Sequence, residues 1–105
     1  MEFLVSFYRH FTSADCAFMN AGNFRMDCEL KEGPITFGVI ERVIEDHVVV
    51  KQVSGSLIIK ALENCVSMYP NLAGRYSALS GLAFEWDSNK QPFERVNKES
   101  VMING

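Results

Sequence analysis

The residues best suited to bind a ligand lie in one short segment of the sequence. Residues 20–25 place a carboxamide, Asn20, and a guanidinium, Arg25, on either side of the small residues Ala21 and Gly22. Small residues let a ligand approach the backbone. Asn20 can pair with a donor and an acceptor on a base edge, and Arg25 can hold a phosphate or ribose oxygen with its planar fork. We predict a binding loop here; the alternative, which spacing alone favours, is an ordinary turn with a surface arginine.

Two further groups of residues have a chemical and a structural interpretation. Residues 73–76 repeat the combination of small residues and an arginine around Gly74, although a plain loop between a helix and a strand is the stronger interpretation. Phe84 and Trp86 alternate with Glu85 and therefore share one strand face. Such a face is more often part of a core than a stacking platform.

The sequence contains no complete catalytic or metal-binding set. A catalytic metal usually takes at least three converging ligands, and only two histidines are present, His10 and His47. Asp46 is adjacent to His47, so in a strand the two side chains point to opposite faces and form at most a solvated strand edge. Neither a nucleophile elbow nor a phosphate loop is present. We expect no metal site in this chain and no turnover by the chain alone.

Composition restricts the class of protein. A chain of 105 residues, 48% apolar and 22% charged, suits a single globular domain, residues 1–105. The net charge is −3, so the chain does not have the excess of basic residues that drives nucleic-acid binding. No apolar run is long enough to span a membrane, and the acidic Glu2 does not fit a secretory leader. Three cysteines, an odd number, predict reduced and mostly buried thiols and slightly favour a cytoplasmic location.

Hydrophobic spacing predicts the element order α, β, α, β, α, β, β. The first helix covers residues 3–12, a second begins after Thr36, and a third begins after Ser54, with an apolar stripe that extends to Tyr69. We expect strands over residues 15–19, 47–53, 79–86 and 95–103. This pattern is typical of an α+β fold, a mixed sheet with packed helices, although it does not fix the sense of strand pairing.

The order of these motifs resembles the C-terminal domain of the 5′-nucleotidase family. Residues 14–25 read Ala-Asp-x-x-x-x-Asn-Ala-Gly-x-x-Arg, close to the family's Ala-Asp-x-x-x-x-Asn-Gly-Gly-x-x-Arg. Further segments resemble the family's motifs and follow in the same order. They are Gly-Pro-Ile-Thr at 33–36, the strand-like run at 45–50, Gly55 with Ala-Leu-Glu at 61–63, Gly-Arg-Tyr followed by Leu-Ser-Gly-Leu-Ala-Phe at 74–84, and Arg-Val at 95–96.

The resemblance implies a substrate-recognition domain with a leading helix, residues 1–12, cut from a longer protein at both ends. Its partner would be an N-terminal metallophosphatase domain that holds two divalent metal ions and hydrolyses a nucleotide or a related phosphate ester. Within this chain, the resemblance makes Asn20 the contact to the base and Arg25 the contact to the phosphate or ribose. It also places Gly22 and Gly74 beside the same cleft. Whether the parent protein is cytoplasmic or exported stays open, since the family includes both.

Two further site positions depart from the family pattern. Ile44 stands where the family has a phenylalanine that stacks on the base, and Asp46 stands where some members have asparagine. An aliphatic side chain cannot supply the roughly 1–3 kcal/mol of base stacking. The alternative function is therefore a non-catalytic protein-interaction or oligomerisation module, for instance a homodimer, that keeps the fold without a working nucleotide pocket.

Overall fold

The computed structural model of the protein describes residues 1–25, 31–44 and 46–104. The elements in chain order are α1 (Glu2–Thr12), β1 (Ala17–Asn20), one turn of 3-10 helix (Ala21–Asn23), α2 (Phe37–Val43), α3 (Gly55–Val66), β2 (Ser77–Ser80), β3 (Leu82–Trp86) and β4 (Val96–Ile103). No helix in these ranges is long and apolar enough to cross a membrane.

All three predicted helices are present, and two begin at the predicted caps. The Thr36 hydroxyl accepts a hydrogen bond from the Val39 backbone N–H at 3.4 Å, and the Ser54 hydroxyl accepts one from Leu57 at 3.3 Å. Each of these N–H groups also donates to the backbone carbonyl of the same capping residue at 3.1 Å, so two bonds hold the first turn of each helix. Although α3 ends at Val66, the predicted apolar stripe continues to Tyr69, whose ring packs edge-on against Trp86 with centroids 5.0 Å apart.

The strands form two antiparallel ladders. β1 pairs with β2, so that Met19 is opposite Ala78 and Asn20 is opposite Ser77. β3 pairs with β4, with an irregularity between Ala83 and Glu85. The α+β class is confirmed, and the sheet is divided into two short antiparallel pairs. The strand predicted over 15–19 lies two residues later, at Ala17–Asn20, which makes Asn20 its last residue.

The prediction of one strand over 79–86 is wrong in one respect, because Gly81 divides it. Gly81 has a φ angle of 68° and separates β2 from β3, which belong to different ladders. This left-handed backbone conformation is readily available only to glycine. A side chain there would also approach the Asp15 carbonyl oxygen to 2.7 Å.

The strand predicted over 47–53 is also wrong. Residues 46–53 form neither helix nor strand, and every one of their side chains is exposed. Valine-rich composition reports how well side chains pack on a sheet rather than an intrinsic backbone preference. Among the described residues, β1 has β2 as its ladder partner and residues 47–53 have none, so nothing stabilises the extended run as a strand.

Two hydrophobic cores lie on opposite faces of the β1–β2 ladder. The first core joins α1 and α2 to the ladder through buried residues that include Val5, Met19, Ile40 and Ala78. The second core joins α3 to β3 and β4, and Leu79 packs against it. Ala78 and Leu79 are consecutive in β2 and therefore point to opposite faces. The ladder that ends at Asn20 is thus held from both sides.

Several sequence predictions concern residues in or beside the second core. Phe84 and Trp86 pack against it, which confirms the interpretation of their shared strand face as core. Cys65 is a buried free thiol and Cys16 is a half-buried one, while Cys28 lies outside the described residues. Burial raises the pKa of the Cys16 thiol, the Asp15 carboxylate raises it further, and the Arg9 guanidinium acts in the opposite direction.

Two buried charged residues fasten α3 to the start of β4. The two carboxylate oxygens of Glu63 accept hydrogen bonds from the backbone N–H groups of Arg95 and Val96, at 3.1 and 2.9 Å. The Arg95 guanidinium donates to the carbonyl oxygens of Val66, Ser67 and Tyr69, at 2.7, 3.2 and 3.1 Å. These carbonyls lie at the C-terminal end of α3 and just beyond it, where a positive charge is favourable.

Candidate functional site

A cleft of about 730 Å³ opens where β1 ends and the antiparallel β2 begins. One wall is formed by Asn20, the last residue of β1, and by Asn23 in the turn that follows it. The other wall is the stretch from Ala73 to Ser77. Residues 46–49 and one side of α3 complete it. The volume lies within the range of about 300–1,000 Å³ that is typical of small-molecule sites.

A close backbone approach forms the floor between the first two walls. The Ala21 N–H donates to the Tyr76 carbonyl at 2.6 Å, and the Gly22 N–H donates to the Gly74 carbonyl at 3.0 Å. A Cβ atom on either glycine would lie 3.4 Å from the Cα of the other. Larger side chains would push the two segments apart, so the glycines at 22 and 74 determine how closely the turn after β1 sits against the loop before β2.

Four of the six predicted site residues line this cleft. They are Asn20, Ile44, Asp46 and Gly74. Gly22 lies against Gly74 and supports the floor from behind. Arg25 is exposed and is not among the described residues that line the cleft; its backbone N–H donates to the Val43 carbonyl at 2.8 Å. The ligand contacts predicted for these six residues stay predictions.

Ile44 has two structural roles. It follows α2, where its N–H donates to the Ile40 carbonyl at 3.0 Å, and it forms an isolated antiparallel bridge with Phe24. Its side chain belongs to the first core and is only 6% exposed. It therefore presents only a small aliphatic surface to the cleft.

Asn64 on α3 is a polar residue of the cleft that the sequence predictions did not include. Ala61, Asn64 and Met68 line the cleft and recur at spacings of three and four, so they share one side of the helical segment. This side of α3 lies next to the apolar stripe of the same helix, so the apolar residues dominate the sequence pattern there. The same spacing, with a lone asparagine between two apolar residues, is the signal that would have identified Asn64.

Arg75 also lines the cleft, although its sequence context predicts an ordinary loop residue. Its Nη1 donates to the Asn64 carboxamide oxygen at 3.3 Å and to the Ser67 hydroxyl at 3.2 Å. These bonds fix the guanidinium on the α3 side of the cleft, while its backbone belongs to the loop that faces Asn20. The cleft thereby gains a positive group that composition alone did not place.

The cleft combines hydrogen-bonding groups with an apolar lining. The cleft offers the Asn20 carboxamide, the Arg75 guanidinium, the Asp46 carboxylate and the His47 imidazole around an apolar lining that includes Val48 and Met68. Within residues 1–25, 31–44 and 46–104, no three His, Cys, Asp or Glu side chains come together as metal ligands. Hydrogen-bonding groups of this kind orient a ligand and give specificity.

A second, mainly apolar cavity of about 360 Å³ lies beside the first and shares Phe18, Met19, Val48 and Val49 with it. It extends between α1 and residues 50–53, where Cys16 and Tyr8 line it. The exposed run 46–53 thus borders both cavities instead of pairing with β1.

Comparison with known proteins agrees with the fold. The family model for "5′-nucleotidase, C-terminal domain" matches residues 1–105. The crystal structure of a 5′-nucleotidase precursor from Thermus thermophilus has a similar fold, with a TM-score of 0.65 at 24% sequence identity. The match covers 99% of this chain and 22% of that one, so the present chain spans about a fifth of its length. No curated protein matches the sequence. The chain belongs to the 5′-nucleotidase C-terminal domain family.

Proposed function

We propose that this chain is the substrate-recognition domain of a 5′-nucleotidase-like phosphoesterase and that it binds a nucleotide in the cleft between Asn20 and Gly74. Hydrolysis would be performed by a separate N-terminal domain with two divalent metal ions, and the chain alone would be inactive. The observation that carries the proposal is that residues from two separate stretches with family-like sequence line one cleft of ligand size: Asn20 and Asn23 from the first, and Gly74 and Arg75 from the second.

The chemistry of the cleft supports a nucleotide as the ligand. A carboxamide can donate to and accept from a base edge at the same time, which discriminates among bases. Asn20 holds this group at the end of β1, where pairing with Ser77 and the 3-10 turn fix the backbone on both sides. The apolar side chains of Val48, Val49 and Met68 can cover the base in place of an aromatic ring.

The direct test of base recognition is a titration of the full 105-residue chain with adenosine and AMP, followed by ¹⁵N NMR. We expect weak binding, with shifts concentrated around Asn20, Gly22 and Gly74. The variant Asn20→Asp keeps the shape of the side chain but loses its N–H donors. Its affinity for adenosine and for AMP should be about fivefold to tenfold lower than that of the wild type.

The matched control is Asn97→Asp, because Asn97 is exposed on β4 outside the cleft. Its affinity for both ligands should equal that of the wild type. Equal affinities for Asn20→Asp and the wild type, or shifts spread over the surface away from Asn20, would count against base recognition in this cleft.

Exposed apolar side chains favour a second candidate, the protein-interaction module. Phe11, Phe37, Val49 and Leu72 are all large and exposed. Exposed apolar side chains that lie together are frequent at protein interfaces. Light scattering over a range of concentrations, with and without AMP, separates the candidates: a monomer whose signals respond to AMP supports the recognition domain, and a stable dimer without any response supports the module.

A further inference from the structure

Arg75 and Asn20 line the same cleft from two segments that are hydrogen-bonded to each other. The residues on either side of Arg75, Gly74 and Tyr76, accept hydrogen bonds from Gly22 and Ala21, the two residues that follow Asn20. Ser77 is the ladder partner of Asn20. Arg75 therefore belongs to the segment that is bonded to the turn after β1, and both it and Asn20 line the same cleft.

The Arg75 guanidinium is anchored on one side only. Its Nη1 uses both of its hydrogens, one to Asn64 and one to Ser67. Ser67 is buried and donates its own hydroxyl hydrogen to the Asn64 backbone carbonyl at 2.8 Å, which fixes its oxygen as an acceptor for Arg75. In the part of the chain that the structure describes, Nε and Nη2 of Arg75 donate to no protein group.

The positive charge of Arg75 is not offset by its hydrogen-bond partners. Asn64 and Ser67 are both neutral, so they orient the guanidinium without forming an ion pair. The comparison with Arg95 is informative, because Arg95 is buried and bonded through Nε and Nη1 to four backbone carbonyl oxygens, which gives it a structural role. Arg75 instead presents a fixed edge of the guanidinium that remains available to a ligand.

We infer that Arg75 binds the anionic oxygen group of the ligand, a phosphate or a carboxylate, inside this cleft. The remaining Nε–H and Nη2–H groups form the planar fork that matches two oxygens of one anion. The identification of the anion as part of a nucleotide rests on the proposed function. Anion binding by Arg75 can be tested independently of base recognition. Arg25, which the family resemblance makes the phosphate or ribose contact, is the competing residue.

The test uses the full chain with three probes: inorganic pyrophosphate, adenosine and AMP. ¹⁵N NMR follows the Arg75 Nε–H, the Asn64 carboxamide and the backbone signals around Asn20. Pyrophosphate should shift the Arg75 and Asn64 side-chain signals. The variant Arg75→Gln should bind pyrophosphate and AMP about tenfold more weakly, because the charge-assisted hydrogen bonds are lost, and should bind adenosine like the wild type.

Two further variants separate the role of Arg75 from a general effect of charge. Arg75→Lys keeps the charge but not the planar fork and should recover only part of the affinity for pyrophosphate. Arg42→Gln removes an exposed arginine on α2, outside the cleft, and should leave all three affinities unchanged. Equal melting temperatures for these variants and the wild type establish that folding is not affected.

The outcomes distinguish this inference from the proposed function. Loss of pyrophosphate binding in Arg25→Gln but not in Arg75→Gln overturns the inference, as does the absence of any pyrophosphate-induced shift at Arg75. If adenosine still shifts Asn20 in either case, the proposed base recognition survives. If pyrophosphate binds at Arg75 while neither adenosine nor AMP affects Asn20, the inference holds and the proposed nucleotide recognition fails.

Discussion

At the scale of single residues, Gly81 is the position that tolerates substitution least. Its φ angle of 68° strains any residue with a Cβ, and the added atom would collide with the Arg9 guanidinium and with the Asp15 carbonyl. The side chain of Arg9 can move, but the backbone at Asp15 cannot do so cheaply. We expect Gly81→Ala to lower the free energy of unfolding by about 1–3 kcal/mol in urea denaturation.

The control for this substitution is Gly55→Ala. Gly55 is the first residue of α3, its φ angle is not positive, and a Cβ there would meet no atom within 4 Å. Because alanine is the better helix former, this variant should be as stable as the wild type or more stable. A loss at Gly55→Ala as large as that at Gly81→Ala would show that backbone conformation is not the cause.

Some residues of the cleft could be identified from the sequence where polar chemistry and turn signals coincide, although their roles as ligand contacts stay predictions. Asn20 and Gly74 stand beside small residues in recognisable turns, and both line the cleft. Arg75 was visible in the sequence, but its importance depends on Asn64 and Ser67, which are 11 and 8 residues away in the chain. Such contacts depend on how a helix packs against a loop, and sequence spacing alone does not give that packing.

At the scale of elements, the Glu63 carboxylate connects α3 to the start of β4 through two hydrogen bonds. Its carboxylate accepts the N–H groups of both Arg95 and Val96 in a buried position. Glu63→Gln replaces one accepting oxygen by an N–H₂ group that faces a backbone N–H. We expect a loss of about 1–3 kcal/mol in the free energy of unfolding, measured by urea denaturation, since a buried donor is left unpaired.

Glu41 on α2 supplies the matched control, because it is an exposed glutamate that undergoes the same chemical change. Glu41→Gln should alter stability by less than about 0.5 kcal/mol, as surface substitutions usually do. Equal effects of the two substitutions would mean that the buried hydrogen bonds of Glu63 add nothing to the stability of the native fold.

The helices were predictable from the sequence because each carries its own signals. Thr36 and Ser54 satisfy helix N–H groups within three residues, and the apolar spacing within one helix is local as well. The strands were less predictable because a strand needs a partner. Residues 47–53 have the composition of a strand without a ladder, and the break at Gly81 depends on the neighbouring Arg9 and Asp15.

At the scale of the whole molecule, the open question is whether the two cores unfold together. The first core contains Val5 and the second contains Val66, each only 1% exposed, and the β1–β2 ladder lies between them. Small domains with a shared sheet usually unfold in a single cooperative transition. Because Ala78 and Leu79 face different cores from adjacent positions in β2, damage to one core should be felt in the other.

Val5→Ala and Val66→Ala test this cooperativity. Each removes buried methyl groups and should cost about 1–3 kcal/mol. Trp86 packs on the second core, so its fluorescence reports that core, whereas far-UV circular dichroism also reports α1 and α2. We expect both signals to shift together in both variants, and the exposed Val50→Ala to shift neither.

A Val5→Ala variant in which circular dichroism changes at lower urea than Trp86 fluorescence would reveal two separately unfolding parts. The cleft would then lie between independent units, and Asn20 would lose the rigid support that ligand recognition requires.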